Sequence, residues 1–425
     1  MGPRASEAWL NLIETPSSLR FAAGIVAPAD VTVPDFQYDR SAGRSVISVQ
    51  PKCHLEQANH IWRWMLAVDC AIMPGLLFYK LFYSAPQIGY IHLLATYHFG
   101  FARRALVGTI ISWFVERVPI WYVYAIGGTA WVATLTMFVI AFRKIFGLSE
   151  KTFPLFVFMI GSPFFFKNYM YAIGYFDIYG CLMALIALLV PVGLMYPLVI
   201  SSGCVCLILM HHIHFLLYVP TITFIALVRY GLLPGISKEK VACGVIVASV
   251  LSVVFVAAAY FGRMPVPQET FLAYVSARAG DALDPSGTNI WYSTIAQEIE
   301  GTWAVMWRNS ARIPIYAGLI AAHIPVARYL LASIGNLSIP FHRTTSILGI
   351  GSISIGYLVI SLVVFDYSRW VSNWAVCMFL LILAIRLLPS TSTDTDVPIR
   401  PDNLVNLVLG WTVSVIPRVG ITKPF

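Results

Sequence analysis

Charged residues are scarce in this 425-residue chain. Asp, Glu, Lys and Arg make up 11% of it and hydrophobic residues 58%, whereas soluble domains carry about 25% charged residues. This shortage excludes an ordinary soluble protein. Apolar segments long enough to cross a hydrocarbon core of about 30 Å recur along most of the chain. We therefore expect an all-α fold, a polytopic membrane helix bundle.

Runs of basic residues are also missing. The formal net charge is +8, but Lys and Arg occur singly at the ends of apolar segments. Cationic residues in such positions orient membrane helices and contact anionic headgroups. The pattern argues against a nucleic-acid partner and favours membrane lipids as the surroundings of the protein.

The cysteines form no recognisable framework. Six of the seven lie inside apolar segments, and no spacing is typical of disulfide pairing or of metal ligation. We interpret them as small buried hydrophobes. No cofactor is predicted, and nothing in the sequence supports a divalent metal. The cysteines are Cys53, Cys70, Cys181, Cys204, Cys206, Cys243 and Cys377.

Several catalytic signatures are absent, namely a Walker A loop, Rossmann glycines, a GxSxG elbow, kinase motifs and a DxD pair. Residues 1–60 lack the early apolar core of a signal peptide. They are predicted to form a cytosolic N-terminal tail, and residues 389–425 a cytosolic C-terminal tail.

About ten transmembrane helices are predicted within a membrane domain at 61–388. With both termini cytosolic, more Lys and Arg residues lie on the inner side, as the positive-inside rule requires. Outer loops are then expected at 85–118, which includes a short interfacial or re-entrant helix at 105–118, and at 262–311. The predicted spans are 62–84, 119–142, 152–166, 169–189, 193–211, 213–232, 241–261, 312–331, 345–365 and 370–387.

The stretch DYSRW places Asp366 and Arg369 three residues apart between two very apolar segments. On a helical turn such residues can neutralise each other, which matters because an unpaired charge near hydrocarbon is costly. One interpretation is an interfacial anchor. The other is the floor of a polar cavity in which Arg369 binds a phosphate or carboxylate.

The first outer loop contains YHFGFARRALVG, in which His98, Arg103 and Arg104 precede an apolar helix. Guanidinium groups beside a helix start are suited to phosphate. The alternative is that these arginines contact lipid headgroups at the interface.

Asp177 is the only acid in its predicted span, and an intramembrane acid indicates a functional site. It is a candidate catalytic residue, although a structural acid bonded to tyrosines is the alternative. Asp69, in the first span, is interpreted as a satisfied structural acid.

The stretch MHHIH brings His211, His212 and His214 to an outer hairpin. His212 is a candidate general base, and His211 and His214 are candidate substrate ligands. Zinc ligation and a polar cluster at a helix end are the alternatives.

The second outer loop combines acids with Trp291 and Tyr292, which can stack on sugar faces. These two residues are candidate substrate ligands. Asp281 and Asp284 lie in GDALDPSG, which is also a plain turn sequence.

The layout resembles the GT-C class of membrane glycosyltransferases and, more loosely, the polymerases of bacterial envelope polysaccharides. The arrangement of the two outer loops carries this resemblance, together with FARRALVGT, HHIHFLLYVP and DYSRW. GT-C enzymes usually carry an acid in the first outer loop, where this chain has only Glu116. The resemblance implies an envelope enzyme of the bacterial inner membrane with a sugar donor linked to polyprenyl phosphate or pyrophosphate.

In that resemblance Arg103, Arg104 and Arg369 would bind the phosphate, and Asp177 or His212 would deprotonate the acceptor. Two other functions fit the same residues. One is a transporter or flippase for an anionic or lipid-linked glycan, and the other is a non-catalytic membrane subunit that binds envelope-assembly proteins.

Overall fold

The computed structural model describes residues 52–418 except 84, 85, 309, 365 and 392–398. These residues form helices and no β-strand. The first 51 residues of the predicted N-terminal tail lie outside the described part of the chain, and so does the side chain of Cys53.

Eighteen α-helices follow one another along the described chain. They are α1 (Lys52–Tyr83), α2 (Gln87–Leu94), α3 (Leu106–Ser112), α4 (Trp121–Phe146), α5 (Phe153–Ile160), α6 (Phe166–Tyr171), α7 (Asp177–Leu189), α8 (Tyr196–Met210), α9 (His214–Leu217), α10 (Val219–Ala226), α11 (Lys238–Phe261), α12 (Gln268–Ala279), α13 (Ile295–Arg308), α14 (Ile313–Ala322), α15 (Ile324–Gly335), α16 (Pro340–Val363), α17 (Tyr367–Ile385) and α18 (Leu404–Val415). Short 3₁₀ segments occur at Tyr97–Phe99, Pro285–Trp291 and Ser310–Arg312, and a π-helical turn at Leu227–Leu232 continues α10.

Five helices, α1, α4, α11, α16 and α17, are long and apolar enough to cross a membrane. The pair α14 and α15, bent by 56°, provides a sixth span if it is counted as one. The prediction of an all-α membrane protein is therefore confirmed. The number of ten spans and the cytosolic position of both termini stay predictions.

Several predicted spans are interrupted, and proline explains part of the pattern. Proline occupies one of the first two positions of α5, α8, α10, α15 and α16, where its missing N–H leaves no helical hydrogen bond unmade. The third predicted span is reduced to the eight-residue α5. A Cβ added at Gly161, directly after α5, would lie 2.3 Å from the Asp69 carboxylate, so only glycine fits the end of this helix.

The predicted C-terminal tail contains a helix that packs into the bundle. Trp62, near the start of α1, donates a hydrogen bond to the Pro401 carbonyl (3.1 Å), and Ser414 donates to Asp69 in the middle of α1 (3.1 Å). Helix α18 therefore runs alongside α1 in the same direction. Part of the predicted C-terminal tail thus packs against α1, while the cytosolic position of the tail stays a prediction.

A second layer, here called the cap, covers one end of the bundle. It consists of α2, α3, α12 and the 3₁₀ segments at Tyr97–Phe99 and Pro285–Trp291. Its hydrophobic core is formed by Tyr90, Ile91, Leu93, Leu94, Ala95, Ala102, Ala105, Val118, Val123, Phe176, Met264, Phe271, Val275 and Trp291. Helix α3 has seven residues, about 10 Å at 1.5 Å per residue, which is too short to span a membrane.

Candidate functional site

The two predicted outer loops meet in the cap. The Arg103 N–H donates to the Gly262 carbonyl (2.7 Å), and the Val118 N–H donates to the Arg278 carbonyl (2.9 Å). The Trp291 indole N–H donates to the Arg103 carbonyl (2.7 Å). Because these bonds join segments more than 150 residues apart in the chain, they fix the first loop against the second. Most of the candidate residues gather around this junction.

Arg103 is buried, and its guanidinium is directed to the second loop. Nη2 donates to the Ser293 carbonyl at 3.1 Å and lies 3.8 Å from the Glu298 carboxylate. Burial lowers the pKa of Arg103, while Glu298 opposes that shift. The residue remains charged, because arginine keeps its proton in proteins. Arg103 is therefore a fixed positive charge in one wall of the junction.

Arg104 is a buried arginine that forms no hydrogen bond or ion pair with the described residues. Its φ of +65° is rare for a residue other than glycine. Burial and the neighbouring Arg103 both lower its pKa. A buried guanidinium without a partner is costly, and backbone strain of this kind is often found at functional sites. Arg104 thus has no direct partner among the described residues, and the carboxylates of Glu298 and Asp177 act on its charge only from a distance.

A cluster of four histidines lies close to Arg104, whose charge acts on His92, His211 and His212. His92 was not identified from the sequence. His92, on α2, lies 6.4 Å from His211 between ring centroids, and His211 lies 5.7 Å from His212 and 5.9 Å from His214. Among the described residues, Nδ1 of His211 and of His212 has no hydrogen-bond partner. Within the described residues, no group of three or more His, Cys, Asp or Glu side chains is placed to bind a metal.

Arg369 binds two carboxylates. Its Nε and Nη2 donate to Asp177 at 2.6 and 2.9 Å, and Nη1 donates to Asp366 at 3.3 Å. The expected pairing within DYSRW is therefore present, but the tighter bonds join Arg369 to Asp177, the first residue of α7. Protonation of Asp177 would leave the guanidinium without its closest partner. This arrangement makes Asp177 a poor general base and Arg369 a poor free anion ligand.

Of the three other candidates, Tyr292 lines a pocket at the loop junction, whereas Trp291 and His98 do not. Trp291 is fully buried, so its ring has no free face for a sugar. Tyr292 is half-buried, and its hydroxyl donates to the Val266 carbonyl (2.9 Å). His98 is exposed and stacks on Tyr274 at 5.0 Å, away from the other histidines.

The alternative interpretation of GDALDPSG is confirmed for Asp284. Its carboxylate accepts the Ser286 N–H at 2.9 Å and caps the following 3₁₀ segment. This bond lowers the pKa of Asp284. Asp69 also has the structural role expected of it, since it pairs with Lys167 at 2.7 Å and both side chains are fully buried.

Two pockets lie side by side at the loop junction. The first, here called the cationic pocket, has a volume of about 340 Å³ and is lined by Arg103, Ala259, Tyr260, Arg263 and Ser293. The second, the polar pocket, measures about 630 Å³ and is lined by Asn289, Tyr292, Ser293, Gln297, Glu300, Gly301 and Ala304. Ser293 belongs to both walls.

Sequence reasoning identified Arg103 but missed its neighbours in this pocket. Arg263 comes directly after the apolar run of α11, and this position in the sequence could have identified it as a candidate. Glu298 was visible only as one of several acids in the second loop. Its proximity to Arg103 depends on the contact between the two loops.

Comparison with known proteins does not place the chain in a family. Neither the protein-family models, the curated proteins nor the solved structures gave a match.

Proposed function

We propose that this protein is a membrane glycosyltransferase or polymerase that uses a polyprenyl-phosphate-linked sugar on its outer face. Its products would be envelope polysaccharides or glycolipids of the bacterial inner membrane. The observation that supports the proposal is the pair of arginines, Arg103 and Arg263, in the lining of the cationic pocket, with the buried Arg104 next to Arg103 in the chain.

Phosphate is the ligand that this set of side chains favours. Guanidinium groups bind phosphate through paired, charge-assisted hydrogen bonds. Arg263 is exposed, and its charge acts on Arg103. An anion in the pocket would relieve the repulsion between the two arginines, and it would place a negative charge near Arg104.

The position of the pocket favours a lipid-linked phosphate. Its lining residues Ala259 and Tyr260 belong to the last turn of α11. Of the 24 residues in this apolar helix, only Leu251 and Ala258 are buried, so α11 would contact lipid along most of its length. A phosphate held at the membrane surface by a lipid chain would reach the pocket from that side.

In the proposed reaction the arginines act on the leaving group. Negative charge accumulates on the departing phosphate as its bond to the sugar breaks, and fixed cations stabilise that charge. Arg103 is suited to this task because its backbone contacts hold it in place. Asp177 and Arg369 would support α7 and α17 behind the site.

The proposal is tested by sugar transfer in vesicles that contain the full chain and radiolabelled polyprenyl-phosphate-linked sugars extracted from bacterial membranes. We expect Arg263→Gln to reduce transfer at least tenfold. Arg308→Gln is the matched control, since Arg308 is exposed on α13 and lies outside both pockets. Equal transfer by both variants would overturn the proposed role of the pocket.

A transporter or flippase is the second candidate, and the interruption between α5 and α6 favours it, because discontinuous helices are typical of transporters. Movement of a labelled lipid-linked glycan across the vesicle membrane, without formation of a glycosidic bond, would support this function.

A further inference from the structure

The polar pocket carries the side chains that recognise hydroxyl groups. Asn289 and Gln297 provide amides, Glu300 provides an exposed carboxylate, and Tyr292 provides one face of an aromatic ring. The volume of about 630 Å³ lies within the usual range for ligand pockets, about 300 to 1,000 Å³. Amides and acids beside an aromatic ring match a sugar, which has both hydroxyls and an apolar face.

The two pockets share Ser293, and Ser293 is hydrogen-bonded to Glu298. The Ser293 hydroxyl, which lines both pockets, donates to Glu298 Oε1 at 2.7 Å. The same oxygen lies 3.8 Å from Arg103 Nη2, and the Glu298 side chain is 25% exposed. Glu298 therefore contacts Ser293, which both pockets share, and lies close to Arg103 of the cationic pocket.

We propose that the polar pocket binds a hydroxyl-rich acceptor glycan and that Glu298 is the general base for its reacting hydroxyl. This inference rests on the proposed function, because it places the acceptor next to the phosphate of the donor. It assigns the base to α13 in place of Asp177 or His212.

The proposed reaction balances without a further reactant. The acceptor oxygen forms a bond to the anomeric carbon of the donor sugar, and its proton passes to Glu298. The bond from that carbon to the phosphate oxygen breaks, and its electron pair leaves with the phosphate. Arg103 and Arg263 bind the charged leaving group.

Glu298 suits the role of general base better than Asp177 or His212, the two candidates from the sequence. Asp177 is fully engaged by two hydrogen bonds from Arg369. Glu298 accepts one hydrogen bond from Ser293 and has a longer contact with Arg103, so its carboxylate can accept a substrate hydroxyl. Within the described residues, Glu298 is hydrogen-bonded to Ser293, which lines both pockets, whereas His212 has no hydrogen bond to a lining residue.

Kinetics of two variants on one helix test the assignment. In the vesicle assay with radiolabelled polyprenyl-phosphate-linked sugars, Glu298→Gln should lower kcat by about 10² to 10⁴ and leave polyprenyl phosphate binding within twofold of wild type. Glu300→Gln should raise the KM for the acceptor several-fold and leave kcat nearly unchanged. Asp281→Asn, in the neighbouring turn, is the control and should change neither.

The outcomes separate this inference from the proposed function. If Glu298→Gln keeps wild-type kcat, or if Glu300→Gln and Asp281→Asn behave alike, the acceptor site and its base are wrong while donor binding stands. If the wild-type protein neither binds polyprenyl phosphate nor transfers sugar, the proposed function itself fails. A direct check is binding of the full chain in nanodiscs to an immobilised glycan array, which Asn289→Ala should weaken and Arg263→Gln should not.

Discussion

Two buried cationic groups in this protein are satisfied to very different degrees. Lys167, inside the bundle, donates to the Val413, Ser414 and Ile416 carbonyls and lies 2.7 Å from Asp69. Arg104, beneath the cap, has no partner among the described residues. A charge with every bond made indicates a structural role. A charge left without a partner indicates a site that awaits an anion.

The position of α18 explains why the Lys167 ammonium has so many partners. Helix α18 ends at Val415 within the bundle, where its last carbonyls have neither helical partners nor water. A cation at a helix C-terminus is also favoured by the helix dipole. The ammonium of Lys167 supplies the missing donors, and Asp69 balances its charge.

The largest loss of stability is expected when the buried ion pair between Lys167 and Asp69 is broken. Lys167→Met would leave the Asp69 charge and three carbonyls without their donor. Breaking a buried ion pair by removing one partner costs about 3 to 5 kcal/mol, so the free energy of unfolding should fall by that amount. Denaturant unfolding of the purified protein, with the exposed Lys144→Met as control, measures the change.

A double-mutant cycle completes this test. Adding Asp69→Asn to Lys167→Met removes the second charge and should recover part of the lost stability. A double variant less stable than the sum of the two single changes would contradict the pairing.

A smaller loss of stability is expected when the Arg369–Asp177 pair is broken. Arg369→Gln should lower the free energy of unfolding by about 2 to 3 kcal/mol, below the range for a fully enclosed pair. The reason is that Arg369 is 14% exposed and the carboxylate of its other partner, Asp366, is 34% exposed. The same denaturant titration measures it. A loss as large as that of Lys167→Met would contradict the expectation that a partly exposed ion pair contributes less than a fully buried one.

Replacement of Arg104 is expected to raise stability, whereas breaking either ion pair lowers it. Arg104→Gly removes a buried unpaired charge and suits the positive φ, so stability should rise by about 1 kcal/mol. Polyprenyl phosphate binding should weaken in the same preparation. Comparing unfolding midpoints and lipid affinity for one sample checks both effects, and a loss of stability would show that Arg104 has a structural partner.

The smallest effect is expected at His98, which was a candidate ligand. His98→Ala removes one exposed ring that stacks on Tyr274, and exposed substitutions usually change stability by less than about 0.5 kcal/mol. Sugar transfer should also remain at the wild-type level. A tenfold loss of sugar transfer would show that His98 does contribute to the site.

It was predictable that this is a membrane protein, because helices that contact lipid must be apolar and hydropathy is read directly from the sequence. The pairing within DYSRW was also predictable, since residues three apart meet on one helical turn. The tighter bond from Arg369 to Asp177 joins residues 192 positions apart, and no local pattern encodes it. The burial of Trp291 and the packing of α18 against α1 likewise depend on how distant helices fit together.

The proposed function requires the cationic pocket to bind the phosphate of a lipid-linked donor. The most direct measurement is the affinity of the full chain in nanodiscs for polyprenyl phosphate, compared between Arg263→Gln and Arg308→Gln. We predict about a tenfold loss for Arg263→Gln, which corresponds to about 1.4 kcal/mol, and no change for Arg308→Gln. Equal affinities for the two variants would contradict the claim.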